Sequence, residues 1–218
     1  MPERELADLP FATALTPPDG GLAAEGSYDT VHFDHLEFDH PSASGSRFLE
    51  CAFTQVSFDG GQLRRGQFSQ VWLRDFRIVG TSLIETGWLD ATLIAGVAAG
   101  VEAFGARLRR VEFHDCKLDS VNFREATLTD VVFDHCVLRD LDFGGAKLTR
   151  TSFPGSRLVE TSFRQVLLDQ VDLRGAELGI TVDPGSLRGA IVSTGQLATM
   201  APLLADALGI TVDDGAAT

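Results

Sequence analysis

From Val111 to Gln165 the chain reads in fives: VEFHD CKLDS VNFRE ATLTD VVFDH CVLRD LDFGG AKLTR TSFPG SRLVE TSFRQ. The third residue of each block is Phe or Leu, alternating strictly from Phe113 to Phe163, and the first is small or aliphatic, from Val111 and Cys116 to Thr161. A period of five is neither the 3.6 of a helix nor the two of a flat strand. A strand that turns a corner every five residues accounts for it. Positions one and three then point inward, positions two and four point outward, and position five makes the turn. Successive coils pair their backbones about 4.8 Å apart, so only the two ends remain as open edges.

The frame begins near Tyr28 or Phe33 and holds in steps of five to Leu178. It thins twice. Ala43 takes the centre of PSASG, as a small loop or a thin side. Ala98 and Ala103 take the centres of GVAAG VEAFG, with Trp88 nearby. There either the bulky indole fills the space the alanines vacate, or a kink separates two halves. Blocks such as VNFRE, LDFGG and VDLRG resemble those of the pentapeptide-repeat family: a small residue, Asp or Asn, then Leu or Phe. The resemblance implies an all-β fold, a right-handed quadrilateral β-helix with four blocks per coil. At that count the rod has roughly seven coils and is about 35 Å long.

The organisation follows: 1–27 an N-terminal extension or cap, 28–180 the repeats, 181–192 a connector and terminal partial coil, 193–218 a capping or dimerisation helix and tail. Ser193 and Gln196 form a capping box. Leu197, Met200, Ala201, Leu204 and Leu208 make a helical stripe, Gly209 stops it, and Ile210–Val212 suggests a short strand. The helix either plugs the end of the rod or meets its copy in a dimer.

With 218 residues, 44% hydrophobic and 22% charged, the chain suits one folded domain. It has no apolar run long enough to span a bilayer. MPERELADLP lacks a basic start and an apolar signal core, which points to the cytoplasm. Cys51, Cys116 and Cys136 all fall at the small inward position. Cys116 and Cys136 lie one coil apart, as buried free thiols or as a disulfide pair. The net charge of −13 disfavours direct nucleic-acid binding. Residues 1–30 contribute −5 of it and residues 181–218 contribute −3.

Four sides sort the charges. The first, centred on Phe33, Phe53 and onward, carries Asp34, Glu112, Asp115 and Asp134. The second, centred on Phe38, carries Asp39, Asp59, Asp119, Asp140 and Glu160. The third, centred on Ala43, balances. The fourth, centred on Phe48 and Leu108, carries Arg47, Arg107, Arg109, Arg110, Lys147 and Arg150. The acidic sides are either a solvated face or a surface for a basic partner. Outward apolar residues Trp72, Val79, Ile84, Leu89, Ile94, Val97 and Phe104 are scattered exposure or a contact surface under a terminal segment or a partner. His114, Asp115, Asp134 and His135 gather on the acidic side, as surface residues rather than as a metal site. No Walker loop, GxSxG, HExxH or CxxC is present, so no enzyme activity, cofactor or metal is expected.

The repeats, the acidity and an ending of LRGA, Gln196, an apolar helix and LGITV resemble the Qnr and MfpA type within the family. Those members are rod-shaped dimers that imitate duplex DNA, bind gyrase and affect fluoroquinolone action. The resemblance implies a protein-binding DNA mimic. The alternative is a structural or interaction scaffold with an unrelated partner.

Overall fold

A computed structural model describes residues 5–213. The chain winds as a right-handed, four-sided parallel β-helix, each coil taking twenty residues. From Ser27 to Leu178 residue i lies beside residue i+20: Tyr28 on Phe48, Phe33 on Phe53, Phe38 on Phe58. The fourth and the second sides each stack eight strands, one coil more than the seven expected. Eight levels have seven intervals, so the length of about 34 Å is nevertheless the anticipated one.

The corners explain why the turn recurs at position five. Every fifth residue from 25 to 175 has a positive φ, and only eight of these are glycine. The other 23 are L-residues in the left-handed region, a conformation that costs such residues roughly 1 kcal/mol each. The ladder holds them there. Each corner N–H between Thr30 and Gln55 donates to a carbonyl of the next coil, as in Thr30 N to Leu49 O (2.9 Å) and Gln55 N to Arg74 O (2.9 Å).

The inward positions form one continuous core. Aromatic rings stack in columns: Tyr28, Phe48, Phe68 and Trp88 on the fourth side, and Phe113, Phe133 and Phe153 on the first. Ala43 is fully buried and in register, so PSASG is a thin side and not a loop. Register also persists through Ala98 and Ala103: Val97–Ala99 pairs with strands on both flanks, and Glu102 bridges Ser82 and Asn122. There is no kink. Trp88 stacks on Phe68 at 4.0 Å and fills part of the space. Phe76 fills more, because it occupies a small inward slot directly beneath Gly96. What remains is an apolar cavity of about 50 Å³ lined by Phe76, Trp88, Ala98 and Ala103.

Both ends are covered. At the N-terminal end Thr16 extends the ladder, accepting from His32 N (2.8 Å) and donating to Thr30 O (3.0 Å). Ahead of it, two short 3-10 turns, Leu6–Asp8 and Ala12–Ala14, run along the outside of the first side. At the C-terminal end the frame slips after Leu178, and Ala190–Ile191 then pairs with Val171–Asp172 as a partial coil. Gly189 is required here, since a Cβ would collide with the Leu168 carbonyl.

The helix α1 (Thr194–Ala207) follows, with the Ser193/Gln196 capping box formed and Gly209 at φ +70° after its end. Its stripe divides. Met200 is buried against the last coil with Leu203 and Leu204 beside it, whereas Ala201, Leu197 and Leu208 face out. Residues Ile210–Val212 form no strand, and Ile210 N donates instead to Ala205 O at the helix end (2.8 Å). The ends of the extension and of the tail, 1–4 and 214–218, lie outside the described residues.

Candidate partner-binding surface

A rigid strand-and-corner frame fixes every outward side chain, so residues twenty apart stand one above another. The proposed acidic residues fall into two groups. Asp34, Asp39 and Asp59 lie in the first two coils. Glu112, Asp115, Asp119, Asp134, Asp140 and Glu160 lie in the C-terminal half. Between them on the second side stand Arg77, Val79, Val97 and Ala99, a waist two coils deep that carries no carboxylate. The sequence list therefore maps to two patches and not to one continuous stripe.

Within the C-terminal patch the two sides behave differently. On the second side, Asp119 and Asp140 are exposed and joined by one hydroxyl: Ser120 Oγ lies 3.1 Å from Asp119 Oδ1 and 2.9 Å from Asp140 Oδ2. Among the described residues no cation lies within salt-bridge distance of Asp119, Asp140 or Glu160. On the first side the carboxylates are engaged. His114 is only 6% exposed and sits between Glu112 (Nε2–Oε2 3.0 Å) and Asp134 (Nδ1–Oδ2 3.4 Å). Asp134 also meets His135 Nδ1 at 2.7 Å. This histidine is thus a buried, doubly carboxylate-flanked group and not the solvated surface residue expected. Among the described residues no three His, Cys, Asp or Glu side chains are disposed to hold a metal ion.

The fourth side is less basic than its arginines suggest. Asp90, Arg110, Asp130 and Arg150 stack as a corner ladder of alternating charge. Arg110 Nη2 donates to Asp90 at 2.7 Å, and Arg150 Nη2 to Asp130 at 2.8 Å. The hydrogen bonds from Arg110 and Arg150 hold the Asp90 and Asp130 carboxyls below their ordinary range. Arg47, Arg107, Arg109 and Lys147 are left as the exposed cations of that side. Opposite charges twenty apart at position five were the signal for this ladder.

Two further features complete the surface, the first choosing between alternatives the sequence left open and the second not visible in it. Of the outward apolar residues, Trp72 (2% exposed) and Ile94 (1%) are sealed under the N-terminal segment by Leu9 and Phe11, whereas Phe104 remains 41% exposed. Gln196, placed only as a capping residue, also closes the last coil: its Nε2 donates to Leu173 O (2.6 Å) and Ala176 O (2.9 Å). The three cysteines are free and buried. Burial pushes the Cys51 thiol up to about 11, and the hydrogen bond with Cys116, together with burial, pushes the Cys136 thiol up as well.

The chain matches no curated protein. Among solved structures it is similar to a trypsin-treated variant of QnrB1, a plasmid-mediated fluoroquinolone resistance protein. The two share 19% identity over 86% of this chain and 100% of that one, with a TM-score of 0.43. Full-length QnrB1 shares 19% identity over 85% and 100%, with a TM-score of 0.35. HetL, a pentapeptide repeat protein involved in heterocyst differentiation regulation from the cyanobacterium Nostoc sp. strain PCC 7120, shares 17% over 79% and 91%, at 0.32. Residues 100–163 match the family model described as a pentapeptide repeat region, and the same five-residue turn runs unbroken on both sides of that span. Over residues 100–163 the chain carries the repeat of the pentapeptide-repeat family.

Proposed function

We propose that the rod is a non-enzymatic, protein-binding scaffold whose acidic sides imitate duplex DNA for a DNA-binding protein, with DNA gyrase as the partner. The observation that carries this is the Asp119–Ser120–Asp140 corner, continued by Glu160: exposed carboxylates in no ion pair, with Arg139 beside them in the stack, held on a rigid frame. Their axial repeat of about 4.8 Å per coil is comparable to the roughly 3.4 Å per charge along one DNA strand. A basic groove that accepts phosphates also accepts such a row. Asp115 widens the row onto the first side, and Glu112 and Asp134 add charge behind it. The N-terminal group Asp34, Asp39 and Asp59 offers a second, smaller contact. Leu197 and Leu208, exposed on α1 beside Ile210, supply an apolar face on which two rods join end to end in the cytoplasm. Met200 and Leu204 serve the cap.

The test is a gyrase supercoiling assay with purified protein, with and without a fluoroquinolone. Inhibition or protection from drug-induced cleavage at micromolar protein is expected, and Asp115→Lys, Asp119→Lys and Asp140→Lys together should abolish it. These three are chosen because, unlike Asp134, they support no buried histidine. A wild-type protein without effect on gyrase sinks the gyrase assignment. A second reading, a scaffold for an unrelated partner, is favoured by Phe104 and Ile84, stacked on the third side with Arg64 and Arg124 above and below them. Under it, Phe104→Ser and not the charge reversals removes the partner from a pull-down.

A further inference from the structure

The inner core loosens in one coil. Ala98 and Ala103 take the central positions on two adjacent sides of it, where the preceding coil supplies Ile78 and Leu83 and the following coil Leu118 and Phe123. Collapse cannot make good the missing bulk, because the ladder holds both flanking coils at their spacing. Val97–Ala99 is paired on each flank, and Ala103 N donates to Asn122 O at 2.9 Å. The result is the cavity of about 50 Å³. Its surface shows in the side chains around it. Leu83 and Trp88 each keep 8% of their accessible surface although both belong to the inner core, whereas Phe133 and Leu148 in the packed coils beyond keep none. The lining is chemically uniform: every side chain on it is aliphatic or aromatic. The one polar side-chain atom among them, Trp88 Nε1, is engaged by Thr86 Oγ1 at 3.1 Å. A buried water needs about two to four polar partners, and these side chains offer it none.

We infer that this cavity is a binding site for a single small nonpolar molecule, of the size of xenon or dioxygen. Volume sets the upper limit. Dry apolar cavities of about 150 Å³ take benzene or xenon, and roughly a third of that space excludes a six-membered ring while admitting a guest of one or two heavy atoms. Dispersion supplies the affinity. A guest in van der Waals reach of Phe76, Leu83, Trp88, Ala98 and Phe113 gains contacts that the facing walls do not make with one another. The walls are fixed by strand pairing on both flanks, so little ordering is required when the guest enters. No side chain of the lining carries a charge or a free hydrogen-bonding group, so ions and polar solutes are rejected. The site lies inside the rod and shares no side chain with the Asp119–Asp140 corner, so the inference stands or falls independently of a gyrase role.

The experiment places the full chain under xenon and follows its isotope-labelled methyl groups by NMR. Shifts should saturate with pressure and concentrate on the methyls of Leu83, Ala98, Val101 and Ala103, while Leu138 and Leu148 in the packed coils stay in place. The thermal midpoint should rise with xenon pressure, because the guest binds the folded chain. Ala98→Val adds two methyl groups at a position flanked by Ile78 and Leu118, and should weaken xenon binding about tenfold or more. Ala103→Val fills the same space from the next side and should do likewise, so the test survives if either variant overpacks and fails to fold. Benzene at saturation should leave the lining methyls unmoved. A wild type without a saturable shift at those methyls overturns the inference. So does undiminished xenon binding in a folded Ala98→Val or Ala103→Val protein, or benzene binding at the same methyls.

Discussion

Ala95 and Gly96 are neighbours with opposite demands. Ala95 is a corner residue at φ +53°, one of the 23 L-residues held in the left-handed region by the ladder. Glycine adopts that conformation without the Cβ penalty, at the cost of a freer unfolded chain. Ala95→Gly should therefore be neutral to stabilising, by up to about 1 kcal/mol. Gly96 has ordinary backbone angles, but a Cβ there would run into the Phe76 ring one coil below. Gly96→Ala should cost about 1–3 kcal/mol, and Phe76→Leu in the same protein should recover part of it. Urea unfolding of the two single variants and the double checks both signs. A Gly96→Ala protein as stable as the wild type would mean that the ring has room to move.

At the scale of elements, the side walls and the C-terminal helix were legible in the sequence, and the path of the N-terminal segment was not. A side chain of position three is always a core residue, whatever precedes it, so Phe33 to Leu178 could be placed by counting. The centre of the rod resisted counting because volume there is traded between slots. Phe76 stands in a small position and Gly96 yields to it, a compensation twenty residues apart that no block shows alone. Residues 5–16 carry no repeat, and their docking on Trp72 depends on tertiary contacts that periodicity does not encode. The acidic residues were correctly assigned to their sides, yet which of them are engaged by His114 or His135 depends on rotamers.

The C-terminal cap is the element where a single side chain does most. In inner coils a carbonyl such as Ala126 O accepts from the backbone of the next coil, here Lys147 N at 2.9 Å. Ala176 O has no following strand, and Gln196 supplies the donor. Removing it leaves two carbonyls of a partly buried edge to find other partners, at about 1–3 kcal/mol each way. Gln196→Ala should lower the thermal midpoint and raise amide exchange first at residues 167–178, while the first coils stay protected. Uniform loss of protection along the rod would show that the cap acts on the whole chain.

For the whole molecule, charge sets the response to acid. Asp90, Asp130 and Asp172 have their carboxyls lowered from 3.8 by hydrogen bonds from Arg110, Arg150 and Arg174. The unfolded chain binds these protons first as pH falls, so the pairs contribute above 3.8 and lose their contribution as pH drops through the lowered values. All three pairs are exposed, and the contribution is small and screened by salt. Stability measured from pH 6 to pH 2 should fall only below about pH 4, and Asp130→Asn should flatten part of that fall.

The strict twenty-residue step between stacked residues makes sequence position a phase. Inserting or deleting twenty residues lengthens or shortens the rod by one level and leaves every later side chain on its own side. Inserting five rotates everything downstream by a quarter turn and carries the Asp119–Asp140 corner onto a different side, at the cost of re-pairing the inward residues across the insertion. Reach along the axis and direction around it are thus separate variables, and a partner that grips both ends of such a rod reads the number of coils as a ruler.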